Sequence, residues 1–162
     1  MNFYKYFLTS LVASFVVAID QATKIYIHTQ VKMGNPIEVI AGFFNINYVR
    51  NPGGAFGLFS ESSVFIRYTL FLLFPLICIY IIFMMLKDTK NKLQIVSLSF
   101  ILGGAFGNYI DRIRFGYVID FIDWYVKDLH WPTFNLADSF IVIGVSILSV
   151  FFLFEKNPPS KQ

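Results

Sequence analysis

Residues 93–112 read Leu-Gln-Ile-Val-Ser-Leu-Ser-Phe-Ile-Leu-Gly-Gly-Ala-Phe-Gly-Asn-Tyr-Ile-Asp-Arg. The run Leu93–Ile110 carries no charge and is mostly apolar. A helix needs about 20 mostly apolar residues to cross the hydrocarbon of a bilayer, so this run predicts a transmembrane span. Within it and just past its end, Gly104, Gly107, Asn108, Asp111 and Arg112 recur at i, i+3, i+4, i+7 and i+8. That spacing places them on one helix face. A small and polar stripe at membrane depth must face protein or water rather than lipid. Gly103 and Gly107 fit the small-xxx-small pattern of closely packed spans. Packing accounts for the glycines, but not for Asn108, Asp111 and Arg112 gathered at one end.

Three further stretches have the same character: Phe7–Ile27, Val64–Leu86 and Ala137–Phe154. The whole chain is 56% apolar with a mean hydropathy of +0.62, against about 45–50% apolar for soluble domains. Its 162 residues suit one domain. The predicted fold is an all-α polytopic membrane protein. It has four transmembrane helices, a small extracytoplasmic β-sheet and a second outer loop. Residues 1–162 form a single membrane domain, with outer loops at 28–63 and 111–136 and a cytoplasmic loop at 87–92. The first run is expected to be retained: it is as long as a span, and no small-residue cleavage site follows it. The tail Asn157–Gln162, with Pro158 and Pro159, is expected to be disordered. Cys78 is the only cysteine, which excludes an intramolecular disulfide. Between Ile77 and Ile79 it reads as a small hydrophobe.

Four spans put both termini on one side. That side holds Lys5, Lys87, Lys90, Lys92, Lys156 and Lys161 against Asp88 and Glu155, a net charge of +4. The other side nets −1. Basic residues in short segments favour the cytoplasm, so the termini and the Lys87–Lys92 loop are placed there and both large loops face outward.

The first outer loop is predicted to hold strands. Phe44–Asn51 roughly alternates large apolar residues with Asn and Arg, between the turns Gly34-Asn35-Pro36 and Asn51-Pro52-Gly53-Gly54. The sheet is expected to lie against the membrane face. Phe56, Leu58 and Phe59 are expected to return the chain to the bilayer. The glycine-rich run Asn51–Gly57 is not a phosphate-binding loop, because no Gly-Lys-Ser/Thr follows. In the first span Asp20 and Lys24 are four apart and can pair. Ser10, Ala13, Ser14 and Val17 are expected on the same face. Pro75 is expected to kink the second span, and Arg67 to snorkel at its outer end.

Between the third and fourth spans, Asp120 is flanked by Val118, Ile119, Phe121 and Ile122. Asp138 opens the fourth apolar run. Asn135 and Pro132 suit a helix start, which puts Asp138 in the first turn, where the dipole favours its ionised form. Val142, Ser146 and Ser149 are expected to extend this face. Asp123, three residues beyond Asp120, points to the opposite side of a strand and is expected at the surface. His28 and His130 stand alone, without zinc-ligand spacing. The polar groups that converge at the outer ends are Asp20, Asn51, Asn108, Asp111, Arg112, Asp120, Asn135 and Asp138. Two close carboxylates cannot both ionise easily, so one keeps a proton while the other serves as base. Such a dyad at the membrane face would act on a substrate that lies in the bilayer.

Five motifs carry a resemblance. They are Asp20-Gln21-Ala22-Thr23-Lys24; Asn51-Pro52-Gly53-Gly54-Ala55-Phe56-Gly57; Gly107-Asn108-Tyr109-Ile110-Asp111-Arg112; Val118-Ile119-Asp120-Phe121; and Phe134-Asn135-Leu136-Ala137-Asp138. In this order, over nearly the whole length, the chain resembles the bacterial lipoprotein signal peptidases, or signal peptidase II. It departs at Gly54, where that family often has alanine, and at Ile119, where it often has valine. The resemblance implies an aspartic endopeptidase of the bacterial cytoplasmic membrane. Its substrate is a prolipoprotein, cut before a diacylglyceryl-modified cysteine among membrane lipids, and its inhibitor is globomycin. No cofactor, metal or nucleic acid is expected. Carried over residue by residue, Asp120 and Asp138 are the catalytic pair. Asn51, Gly54, Asn108, Arg112, Asn135 and Asp111 bind substrate or support the pair, with Asp20 and Lys24 as structural neighbours. Asp138 is assigned as the ionised base.

Two other classes fit buried carboxylates. A small transporter or proton pathway should hold its charges near the midplane on broken helices, whereas these collect at one end. A non-catalytic assembly subunit would tolerate Asp120→Asn and Asp138→Asn.

Overall fold

The computed structural model describes residues 2–54 and 57–155. Phe56 and the tail with Lys156 and Lys161 lie outside them. Among the described residues four helices are long and apolar enough to cross a membrane: α1 (Asn2–Gln30), α2 (Val64–Asp88), α3 (Lys92–Phe115) and α4 (Leu136–Glu155). Four strands, β1 (Ile37–Ile40), β2 (Phe44–Asn51), β3 (Val118–Val126) and β4 (Leu129–His130), form one antiparallel sheet in sequence order. Four helices and a small sheet are therefore present. The segment between α3 and α4 is more than a connection, because its β3 pairs with β2 and the two form the middle of the sheet.

Helix α3 packs against α1, α2 and α4. The close approaches run through glycine. A Cβ on Gly103 would meet the Val16 Cβ at 2.7 Å, and one on Gly104 would meet the Ala137 carbonyl oxygen at 2.4 Å. The predicted polar stripe is buried at Gly104, Gly107, Asn108 and Asp111. The inward face of α1 differs from the predicted one. Thr9, Ala13, Val16, Asp20, Lys24, Ile27 and Val31 are buried, whereas Ser10 and Ser14 are exposed. The buried set alternates steps of three and four back from Asp20, which keeps it on one side of the helix. Ser14, six residues from Asp20, lies about a third of a turn away. On α4 the buried positions are Ala137 and Gly144, while Val142, Ser146 and Ser149 are exposed. The same three-and-four spacing explains this, because α4 meets α3 on its small residues.

Pro75 acts one turn before itself. Thr69–Leu73 form a π-helical turn, after which the α-helix resumes at Phe74 with Pro75 in its first turn. Proline has no N–H and its ring crowds the carbonyl four residues back. Widening the preceding turn accommodates both.

Helix α3 continues past the predicted span through Asp111 and Arg112, and ends at Gly116, whose φ of 76° caps it in the left-handed region. The Gly116 N–H donates to the Arg112 carbonyl at 3.0 Å. This cap turns the chain back over the helix end, so β3 starts two residues later above α1 and α3. Ile27, Val31, Tyr48, Ile119 and Phe121 fill the space between sheet and helix ends. Beyond β3, the Phe134 carbonyl accepts from the Phe121 and Ile122 amides at 2.9 and 2.8 Å. That pairing seats Asn135 beside Asp120.

Candidate active site

Every polar residue expected at the outer ends of the spans meets at the boundary between bundle and sheet. The two candidate carboxylates come from different elements, Asp120 from β3 and Asp138 from the first turn of α4. Asp120 is 2% exposed and Asn135 is fully buried, while Asp138 is partly open. The Asn135 Nδ2 donates to Asp120 Oδ1 at 2.6 Å, and the Asn51 Nδ2 donates to Oδ2 at 3.0 Å. The Asn108 Nδ2 donates to Asp138 Oδ1 at 2.7 Å.

Asn135 also begins α4 by a reciprocal pair of bonds. Its Oδ1 accepts from the Asp138 backbone N–H at 3.0 Å, and its own backbone N–H donates to Asp138 Oδ2 at 3.2 Å. This is a capping box with aspartate in the glutamate position. The sequence Asn-Leu-Ala-Asp therefore sets the helix start and the aim of Asp138 together.

Behind the pair lies a charged cluster. Lys24 Nζ, 1% exposed, reaches Asp20 Oδ2 at 2.9 Å, Asp111 Oδ2 at 3.1 Å and Asn108 Oδ1 at 2.8 Å. The Asn108 oxygen also accepts from Asn135 Nδ2 at 3.1 Å. With its oxygen held from two sides, the Asn108 amide can only present nitrogen to Asp138. Asp20 Oδ1 accepts from the Ala137 N–H at 2.9 Å, and Asp111 Oδ2 from the Ile119 N–H at 3.1 Å. The Asp20–Lys24–Asp111 triad thus pins the residue before Asp138 and the residue before Asp120. Burying one ammonium with two carboxylates is costly unless all are hydrogen-bonded, and here they are. Gln21, which had no role beyond its motif, donates to Asp111 Oδ1 at 2.9 Å and to the Gly107 carbonyl at 3.1 Å. Its place one residue after Asp20 was the only clue to this.

The glycine-rich turn is shaped by Asn51. Its Oδ1 accepts from the Gly53 N–H at 3.0 Å and its Nδ2 donates to the Gly54 carbonyl at 3.2 Å. A Cβ on Gly53 would lie 2.5 Å from the Leu58 carbonyl oxygen, so only glycine fits there. Arg112 links turn and bundle, donating from Nη2 to the Gly53 carbonyl and from Nη1 to the Asn108 carbonyl, both at 3.2 Å.

Electrostatics distinguish the two acids. Burial, and then the charge of Asp138, push the Asp120 carboxyl up to about 7, against the opposing hydrogen bonds from Asn51 and Asn135 and the charge of Lys24. A carboxyl that keeps a proton near neutral pH beside an accessible one is the division of labour an acid–base pair needs.

Asp123 does not behave as expected. It is 3% exposed, and its Oδ1 lies 2.8 Å from His130 Nδ1 on β4. His28 Nδ1 lies 2.6 Å from the Tyr48 hydroxyl. Asp123 sits in the hairpin arm of β3, three residues from Asp120, so the strand's period of two sends the two side chains to opposite faces.

A model of the signal peptidase (SPase) II family matches residues 12–154. A lipoprotein signal peptidase of Desulforapulum autotrophicum is 42% identical over 150 residues, covering 91% of this chain and 93% of its own. One from Geobacter metallireducens is 42% identical over 161 residues, covering 97% of both. A bacterial membrane enzyme solved by the in meso method at 2.3 Å superposes with a TM-score of 0.86 at 35% identity, covering 96% of this chain and 93% of that one. A motif set that meets in one buried network, a membrane fold shared with solved enzymes and a family match over most of the length lead to one conclusion: the chain belongs to the signal peptidase II family.

Proposed function

We propose that this protein is an aspartic endopeptidase that removes signal peptides from prolipoproteins, cutting before a diacylglyceryl-modified cysteine in the bacterial cytoplasmic membrane. The observation that carries the reading is the wiring of the two carboxylates. Asn135 donates its amide to Asp120 and its backbone N–H to Asp138, so one residue sets both. Asp138 is the base: its oxygens accept from Asn108 and Asn135, it sits in a helix first turn, and it is the more open of the two. It takes a proton from the attacking water. Asp120 carries a proton near pH 7 and gives it to the scissile carbonyl oxygen. When the tetrahedral intermediate collapses, the proton held by Asp138 passes to the leaving amine, and the diol returns one to Asp120. Arg112, Asn51 and Asn108 hold the geometry around this pair, as do Gly54 and the Asp20–Lys24–Asp111 cluster.

The test is cleavage of a diacylated prolipoprotein by the purified wild type, Asp120→Asn and Asp138→Asn, with a thermal melt of each and with globomycin as expected inhibitor. Both variants are expected to lose activity by about a hundredfold to ten-thousandfold while melting near wild type, because acid–base groups of this kind contribute about 10²–10⁴-fold each. Cleavage that survives either substitution removes that aspartate from the chemistry.

A further inference from the structure

A cavity of about 200 Å³ opens beside the site, between the outer ends of α2 and α3 and the turn that follows β2. Two guanidinium groups, Arg67 and Arg112, line it together with Pro52, Tyr68, Phe71 and Leu72. Among the described residues no carboxylate lines it. Arg112 lies over the Phe71 ring at 5.2 Å and donates to the Asn108 and Gly53 backbone carbonyls. Arg67 is not accounted for by the fold. Its Nε is shut off from solvent and has no hydrogen-bond partner among the described residues. A buried donor of this kind is costly to leave unpaired, and an arginine presents its donors as a rigid fork suited to paired oxygens.

We infer that this cavity recognises the glyceryl diester of the substrate's lipid, and that Arg67 is a specificity-determining residue for it. The inference rests on the prolipoprotein reading above. Three features select this ligand chemistry. Two cations that make no direct ion pair among the described residues call for oxygen acceptors, Arg112 having the aspartates of the site only as charged neighbours. The walls are otherwise aromatic and aliphatic, which suits the first carbons of acyl chains that then leave into the bilayer. The cavity is also wired to the carboxylates, since Arg112 holds the Gly53 carbonyl, Gly53 donates to Asn51, and Asn51 donates to Asp120. A lipid held here places the cysteine that bears it beside the scissile bond.

The experiment uses the full-length enzyme with two prolipoprotein peptides that share one hydrocarbon content. One bears the natural diacyl glyceryl esters, and the other bears dialkyl ethers, which lack the ester carbonyls. Wild type is expected to show a KM for the ether about tenfold higher, the size of one charge-assisted hydrogen bond. In Arg67→Gln the KM for the ester should rise about tenfold with kcat within twofold of wild type. Its ester-to-ether ratio should fall to about one, as a double-mutant cycle requires of interacting groups. Arg67→Lys, which keeps the charge without the fork, should give an intermediate ratio, and it serves as the second variant if the glutamine protein melts low. Retention of the wild-type ratio in both variants overturns the inference. Equal handling of ester and ether by wild type also overturns it. If phosphatidylglycerol then competes with substrate in wild type but not in Arg67→Gln, the cavity holds bulk lipid phosphate instead. Failure of wild type to cleave either peptide sinks the proposed function itself, and this inference with it.

Discussion

A single side chain, Asn51, sets how much negative charge Asp120 tolerates. Its Nδ2 is one of two amide donors on that carboxylate, and donors to the charged form favour ionisation. Burial and Asp138 act the other way and win, which leaves Asp120 at about 7. In the proposed mechanism the two carboxylates share one proton, so activity is expected to fall as pH rises through about 7 and that proton is lost. The limb belongs to the pair rather than to either acid alone. Asn51→Ala removes a bond that stabilises the charged form, so the proton is held more tightly and the alkaline limb moves to higher pH. A charge-assisted hydrogen bond contributes about 1.5 kcal/mol, which corresponds to roughly one pH unit. The measurement is the pH profile of kcat/KM for wild type and Asn51→Ala. A limb that stays in place while activity drops would mean that Asn51 shapes only the Gly53–Gly54 turn. The amide that matters here could be named from the sequence, because it opens a glycine-rich turn after a strand. Its partner could not, because 69 residues separate Asn51 from Asp120 and only the β2–β3 register brings them together.

The helices depend on the absence of side chains at a few points. Gly104 lets α3 touch the start of α4, where an added Cβ would also come within 2.7 Å of the Ile141 Cγ1. Backbone lies on the near side, so Gly104→Ala cannot be relieved by a rotamer change and must part the helices. Overpacking of this kind costs about 1–3 kcal/mol, read as a Tm lower by several degrees. Parting α3 from α4 also pulls the Ala137 N–H away from Asp20 and loosens the turn that holds Asp138, so kcat is expected to fall with Tm. Ser149→Ala, on the exposed side of α4, is the control and should change neither. Melts and turnover of both variants in one detergent decide the matter; a Gly104→Ala protein that melts with wild type would show that the seam is loose. The existence of these helices was legible from composition alone, because hydrocarbon admits so few residue types. Their inward faces were legible where polarity marked them, as on α3, and misread where it did not. Ser10, Ser14, Ser146 and Ser149 looked inward because they are polar, yet a serine can satisfy its hydroxyl on its own helix. Contact then goes to the smallest residues, glycine and alanine.

At the scale of the whole molecule, the sheet does what no span could do by itself. It draws β2 from the segment between α1 and α2 and β3 from the segment between α3 and α4, and so joins two halves of the chain over the helix ends where Lys24, Asp20 and Asp111 are buried. The convergence of polar residues on one end was visible in the sequence as spacing. The pairing of β3 with β2 was not, since Val118–Val126 reads as a short apolar run until its partner is known. Asp123 was misjudged for the same reason, because its histidine arrives only through the β3–β4 hairpin. The arrangement gives the molecule two unlike ends: the carboxylates and sheet at one, the Lys87–Lys92 connection at the other. With an even number of spans both termini are expected at the lysine end, and on the positive-inside bias we propose that this end is cytoplasmic. The sheet end would then face outward, where the proposed lipid-borne substrate would be met after export. This orientation can be tested with cysteines. Cys78→Ser removes the one native thiol, after which a single cysteine is placed at Asp88 or at Asp128, both exposed. A membrane-impermeant maleimide is expected to label the Asp128→Cys protein in intact spheroplasts and the Asp88→Cys protein only after lysis. The reverse pattern would put the dyad on the cytoplasmic side, where it could not meet an exported prolipoprotein, and the proposed substrate would fall with the orientation.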